Sequence, residues 1–259
     1  MFARNPYGCC PLCNSVSVMS TLKADCSRHP LYKPEISPEI TWIRCANCEH
    51  IYTDGFHTEE ALDVIFSDTN QNQKVGADFE NQRYVSAKII EKVLPFVDDG
   101  YWCDIGFGNG SLLFTAAEYG FSPVGIDLRK DNVEAMVSLG IEAHRVELTS
   151  FSCPSKFTVV SMCDVLEHMP YPIENLEAVH SLLKPNGVLF LSMPNADSMA
   201  WQFLHSLDRN PYWGELEHYH NFGRKRLYQL LRDCGFEPIR YGVSERYRVC
   251  MEIIAKRLD

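Results

Sequence analysis

The sequence predicts a doubly wound α/β domain with a small cysteine-rich module in front of it. Three observations carry this expectation. From Gly100 onward short apolar strands alternate with amphipathic helices, a glycine-rich turn follows the first of those strands, and two C-x2-C pairs fall before residue 50. Alternation of strand and helix argues for a parallel sheet covered on both faces. A chain of 259 residues holds one such domain plus an appendage, whereas two full domains would be tight.

In chain order, residues 1–54 are rich in Cys and Pro, with strand-like pieces at 15–22 and 40–44 and no sustained helical period. A segment of this kind builds little core and needs a staple. Residues 55–99 form a helical connector: Ala61, Leu62, Ile65 and Phe66, then Val85, Ile89, Ile90, Val93 and Leu94, recur at spacings of three and four. The polar stretch 67–74 between them reads as a loop. Residues 100–259 carry strands at 101–105, 123–126, 157–162 and 188–193, and a final pair at 237–241 and 249–255. The short turn between the last two makes one of them antiparallel.

Apolar residues make up 46% of the chain and charged ones 22%, the balance of a globular protein and not of a disordered one. No run approaches the roughly 20 apolar residues of a membrane span, and residues 1–7 lack an apolar signal-type stretch, so no membrane insertion and a cytoplasmic location are expected. The net charge of -10 opposes nonspecific attraction to nucleic acid. Eleven cysteines is an odd number, and six precede residue 50. Metal binding therefore accounts for the early cluster better than a disulfide framework does.

The strand at Trp102, Cys103, Asp104 and Ile105 runs into Gly106-Phe107-Gly108-Asn109-Gly110, and a helix follows from Ser111. Glycines there let a ligand approach backbone N–H groups at a helix start. The spacing departs from G-x-G-x-x-G, because Ser111 stands at the last glycine position. Asp104 helps to choose the ligand: a carboxylate repels a pyrophosphate but attracts the α-ammonium of a methionine moiety. That favours S-adenosylmethionine. Asp127, 17 residues past Gly110, ends the second strand, where a carboxylate can accept both hydroxyls of a ribose.

Residues 100–195 resemble the core of class I S-adenosylmethionine-dependent methyltransferases. The Asp104 to Gly110 loop resembles the first motif of that family, and Gly125-Ile126-Asp127 the second. The segment from Gly140 to Leu148 resembles the acidic stretch beside the adenine, and Phe157 to His168 the fourth strand with its loop. Leu183 to Gly187 resembles the turn before the fifth strand. Departures are Phe107 between the glycines, Glu147 where Asp is commoner, and Thr158 where Asp usually follows the phenylalanine. The resemblance implies a seven-stranded Rossmann-like sheet of order 3-2-1-4-5-7-6 with the seventh strand antiparallel. It implies cofactor contacts from Asp104, Gly106, Gly108, Gly110, Asp127, Leu128, Glu147, Leu148 and Cys163. Arg83 or Tyr84 is the expected partner of the methionine carboxylate.

Cys10-Pro-Leu-Cys13 and Cys45-Ala-Asn-Cys48 are separated by 31 residues. Four thiolates so spaced can close a tetrahedron around a structural Zn2+. Cys9, and the pair Cys26 and His29, are spare ligands. A two-knuckle segment ahead of such a core, a zinc-ribbon-like module, resembles the layout of bacterial enzymes that methylate sugars, glycans or secondary metabolites.

Methyl transfer to a hydroxyl needs a base, and histidine suits that task near neutral pH. His168, His218 and His220 are the candidates. In ubiquinone-type O-methyltransferases a similar run binds a divalent cation; here it reads Asp164-Val-Leu-Glu167-His168, so a cation at Asp164, Glu167 and His168 is one alternative to a base or an ordering role. Residues 195–222 break the alternation and carry Trp201, Phe203, Tyr212, Trp213, Tyr219 and Phe222, which suits a lid on the acceptor side. The expected reaction is O-methylation of a small molecule, sugar or glycan, although the cofactor motifs fit N- or C-methylation equally. Rival readings are an RNA or protein methyltransferase docking through the zinc module, and a cofactor-binding or zinc-ribbon interaction protein without activity. Oligomeric state is not legible.

Overall fold

The structure, a computed structural model, describes residues 2, 4–65 and 71–259. Phe66 and the first part of the expected loop 67–74 lie outside the described residues. Strands β1 (Arg4–Pro6), β2 (Val18–Asp25), β3 (Glu39–Cys45), β4 (Ile51–Thr53) and β5 (Gly55–His57) precede helix α1 (Glu59–Ile65). Helix α2 (Phe79–Val93) then leads into β6 (Tyr101–Ile105), α3 (Ser111–Glu118), β7 (Ser122–Ile126), α4 (Lys130–Ser138), β8 (Glu142–His144), β9 (Phe157–Cys163), α5 (Pro172–Leu182) and β10 (Leu183–Pro194). The chain continues through α6 (Met199–Ser206), β11 (His220–Asn221), α7 (Arg224–Asp233), β12 (Phe236–Val243) and β13 (Cys250–Arg257). These elements divide between two compact units, one of residues 1–68, 167–172 and 194–230, the other of 69–166, 173–193 and 231–259.

The second unit is built on a seven-stranded sheet of order β12-β13-β10-β9-β6-β7-β8. Counted from β6, this is the expected order 3-2-1-4-5-7-6. Pairings β6/β7, β6/β9, β7/β8 and β9/β10 are parallel, and β12/β13 is antiparallel. In central β6, Trp102, Cys103, Asp104 and Ile105 are all buried, because a parallel strand with helices on both faces has no solvent side. Trp102 sits edge-on to Phe121 at 5.1 Å, within a core shared by Ile90, Val93, Leu112, Val159 and Phe190. Two details differ from expectation. β10 starts at Leu183, five residues ahead of the apolar run, because its register shifts between Leu183 and Val188 and takes the turn into the strand. β8, only three residues long, lies in the segment read as acidic, and no apolar run marks it.

The first unit carries an antiparallel sheet of order β11-β4-β3-β2 and a separate β1/β5 ribbon. His220 pairs with Tyr52 and Asn221 with Ile51, so part of the aromatic segment 195–222 is a strand of this sheet. Its core gathers Cys26, Ile36, Ile40, Trp42, Ala61, Ile65 and Leu216. Trp42 Nε1 donates to Trp213 O at 2.8 Å. Trp201, Tyr219 and Phe222 are buried, whereas Phe203 is 63% exposed. Among the described residues no helix is long and apolar enough to cross a membrane.

Phe190 on β10 is fully buried. Phe190→Ala is expected to lower unfolding free energy by about 3–5 kcal/mol, measured by urea denaturation of the two proteins side by side.

Candidate active site

In the second unit, β6 delivers the chain into the glycine loop. Gly106, Gly108 and Gly110 all adopt positive φ, at 66°, 52° and 75°, where L side chains are strained. Space reinforces the requirement: a Cβ on Gly106 would lie 2.7 Å from Val165 Cγ2, and one on Gly110 would lie 2.7 Å from Met136 Sδ. The loop is tied down from two sides, by Gly106 N donating to Ile126 O at 2.7 Å and by Asn132 Nδ2 donating to Gly108 O at 2.9 Å.

Asp104 is 4% exposed. Ser161 Oγ donates to its Oδ1 at 2.6 Å, and Trp102 Nε1 donates to Ser161 Oγ at 2.8 Å. Burial raises the Asp104 pKa to about 7; Ser161 and Arg246 oppose that shift and Asp127 adds to it. Such a carboxyl is half-charged near neutrality and gains from a cationic partner. Asp127, also 4% exposed, accepts from Gly108 N at 3.1 Å through Oδ2 and from Arg129 N at 2.9 Å through Oδ1. Two buried carboxylates around a glycine-rich turn fit a cationic amino acid joined to a nucleoside, and do not fit a diphosphate.

The other sequence-selected positions differ in burial and partners. Leu148 is buried, Leu128 is 55% exposed, and Cys163 ends β9 half-buried. Glu147 is exposed and precedes the turn at Leu148–Ser150. Arg83 stands exposed on α2, its Nε donating to both carboxylate oxygens of Glu118 at 3.1 and 3.0 Å. Its charge is answered there. Sequence reading missed Ser161, which holds Asp104, Asn132, which holds the loop, and Arg246, whose charge favours the ionised form of Asp104; Ser161 is a polar residue in the buried middle of a mostly apolar strand, the one signal that pointed to it.

In the first unit, Cys10, Cys13, Cys45 and Cys48 bring their sulfurs within 4.8 Å of one another. Cys10 and Cys48 are 3.6 Å apart, as are Cys13 and Cys45. Zinc–thiolate bonds of about 2.3 Å in a tetrahedron place sulfurs about 3.8 Å apart, so the cluster fits that ion. Each knuckle turns through a residue of positive φ just after its second cysteine, Asn14 at 57° and Glu49 at 60°. Backbone bonds Asn14 N to Cys10 O and Glu49 N to Cys45 O close the two turns. The spare ligands are placed elsewhere: Cys26 Sγ contacts Ser37 O, and His29 Nε2 pairs with Glu215 Oε2 at 3.0 Å.

The three candidate histidines, also in the first unit, separate into two groups. His168 and His218 meet edge to face at 4.6 Å, and with Glu167 their donor atoms lie within 4.8 Å. His168 Nδ1 is 3.1 Å from Glu217 O. A carbonyl only accepts, so Nδ1 carries the proton and Nε2 keeps its lone pair. His218 is 7% exposed, its Nδ1 makes no hydrogen bond, and burial beside His168 pushes its pKa well down. His220 is different. Its Nε2 donates to Met169 O at 2.9 Å and its Nδ1 accepts from His50 Nε2 at 3.0 Å, which leaves no lone pair for chemistry. Burial lowers the His220 pKa to about 4, in keeping with a neutral ring. Asp164, in the second unit, contacts Ser192 Oγ at 3.3 Å and Arg246 Nη1 at 3.5 Å.

Comparison with known proteins gives the family. The profile of a family described as a methyltransferase domain matches residues 79–241. A ubiquinone biosynthesis O-methyltransferase of Pseudomonas aeruginosa is 34% identical over 108 residues, covering 39% of this chain and 47% of that protein. One from Haemophilus ducreyi is 32% identical over 113 residues, with 39% and 48% covered. The chain thus spans about half the length of the curated relatives it matches. Among solved structures, a 1,6-didemethyltoxoflavin-N1-methyltransferase of Burkholderia thailandensis aligns with TM-score 0.60 at 18% identity, over 83% of this chain and 98% of that one. A methyltransferase of Archaeoglobus fulgidus aligns with TM-score 0.56 at 19% identity, over 70% and 97%. At these identities the likeness speaks for the fold. With the glycine loop, the two buried carboxylates and a family match over most of the catalytic sheet, the chain belongs to the S-adenosylmethionine-dependent methyltransferases.

Proposed function

We propose that this protein transfers a methyl group from S-adenosylmethionine to a hydroxyl of a small molecule, sugar or glycan. The observation that carries the choice of a hydroxyl is His168: a proton fixed on Nδ1 by Glu217 O leaves Nε2 as an acceptor, and hydroxyl acceptors need a base whereas many amines do not. His218 and Glu167 stand beside it to stabilise the imidazolium that forms. The cofactor supplies an electrophilic methyl on a sulfonium. Asp104 would hold its ammonium, Asp127 would hold the ribose hydroxyls, and the glycine loop would let the nucleoside approach the backbone. The names of the matched relatives, O- and N-methyltransferases of small molecules, support the acceptor class without choosing within it.

The test is release of S-adenosylhomocysteine over a panel of phenols, sugars and glycans, with RNA and protein as competitors. His168→Ala is expected to lower kcat by roughly 100- to 10,000-fold and to leave S-adenosylhomocysteine affinity unchanged. His220→Ala should act on melting temperature first. Unchanged turnover in both His168→Ala and His218→Ala would remove this pair from the mechanism; cofactor binding with no turnover on any acceptor would favour a non-catalytic binding protein.

One specific observation favours a second reading of the same cluster. Two histidines and a carboxylate within 4.8 Å also form a divalent-cation site of the facial type, with His168 oriented by its carbonyl partner as metal-bound histidines are. Turnover that collapses after chelation and returns with Fe2+ or Mn2+ would establish it. Turnover unaffected by chelation supports the base.

Because the Asp104 carboxyl titrates near 7, its charge is present above that pH and lost below it. S-adenosylhomocysteine affinity, measured by calorimetry, should therefore rise as pH increases from 6 to 8, with proton release on binding. In Asp104→Asn that slope should vanish.

The four thiolates, we propose further, hold one structural Zn2+ whose binding energy adds to that of a small core. Metal analysis of purified protein should return one zinc per chain, and Cys45→Ser should lose both the zinc and several degrees of melting temperature. Full occupancy in that variant would count against the assignment.

A further inference from the structure

The turn between β12 and β13 is more tightly built than a surface hairpin requires. Ser244 is fully buried. Its Oγ lies 3.3 Å from Ser192 Oγ and accepts from Arg246 N at 3.1 Å and Tyr247 N at 3.4 Å. These bonds fix the backbone of Arg246 at the C-terminal end of β10. From there its Nη1 reaches to 3.5 Å from Asp164 Oδ2, just past the end of β9. Asp164 is itself held, at a left-handed φ of 56°, by Asp164 N donating to Ser192 O at 2.8 Å.

The guanidinium is poised, not spent. Charge-assisted N–H···O bonds run about 2.7–2.9 Å, so a 3.5 Å contact leaves most of its five N–H donors available. The Arg246 side chain keeps 30% exposure. It is also the cation that offsets the burial of Asp104, and Asp104 in turn favours its charge. Several other cations of this unit lie closer to a carboxylate: Arg83 to Glu118, Lys92 to Glu245 and Glu252, and Lys156 to Glu142. A methionine end carries two opposite charges on one carbon. Asp104 answers the ammonium but repels the carboxylate, so a site that binds the whole zwitterion needs a cation beside Asp104.

We infer that Arg246 is that cation, holding the carboxylate of the cofactor's amino-acid end while Asp104 holds its ammonium. This rests on the cofactor assignment made above, and the experiment separates the two. By calorimetry, wild-type protein is compared for S-adenosylmethionine and its decarboxylated form, which lacks only the carboxylate. At least a tenfold preference for the intact cofactor is expected. Arg246→Gln should weaken intact cofactor roughly ten- to hundredfold, leave the decarboxylated form unchanged, and so erase the preference. Arg246→Lys, which keeps the charge, should retain part of it. An ion pair that merely closed the turn would alter melting temperature and leave the preference intact; that result overturns the inference. Equal affinity of wild-type protein for the two cofactors overturns it without any variant. Failure of wild-type protein to bind either one overturns the cofactor assignment, and this inference with it.

Discussion

Burying a carboxylate at the end of the central strand is the constraint around which the catalytic sheet is arranged. An ionised carboxylate taken out of water costs several kcal/mol unless it is hydrogen-bonded and paired. Here the cost is met by a chain of donors, Trp102 to Ser161 to Asp104, that begins in the hydrophobic core itself. Trp102 therefore has two jobs: its ring packs on Phe121 and its N–H steadies the group that steadies Asp104. Such coupling explains why a strand buried on both faces tolerates an acid at its tip. The same desolvation that makes the group costly makes it selective, since a cation is worth far more to it there than in water.

The other unit solves a different problem. Its sheet is small, and two local features add to its packing. One is the cluster of four cysteine sulfurs; the other is a set of buried histidine contacts, with His50 and His220 joined at 3.0 Å, His50 stacked on Tyr52 and His220 tilted against Phe222. Neutral imidazoles are suited to such a place because each offers one donor and one acceptor.

Much of this was legible in the sequence for a physical reason. Central strands such as Phe157–Cys163 must be mostly apolar, and a close-approach turn must be rich in glycine, so both leave marks on composition. Paired knuckles do the same through their spacing. Edge strand β8 left no mark because three residues on a sheet margin need no apolar run. Arg83 and Arg246 were indistinguishable as letters: which one keeps its charge available depends on Glu118 in one case and on the Ser192–Ser244 contact in the other, and both partners are remote in sequence. The histidines divided likewise by partners, with Glu217 O and Met169 O deciding which nitrogen holds the proton.

The pairing of β11 with β4 also governs how this chain is made. Residues 51–52 find their strand partners at 220–221, so the cysteine-rich segment completes its sheet only after the residues between them have left the ribosome. Contacts of such long sequence separation are slow to form. Until then one edge of β4 is left unpaired, and the local β2/β3/β4 pairing, together with early metal capture if the two knuckles bind zinc, would hold that segment in shape while it waits.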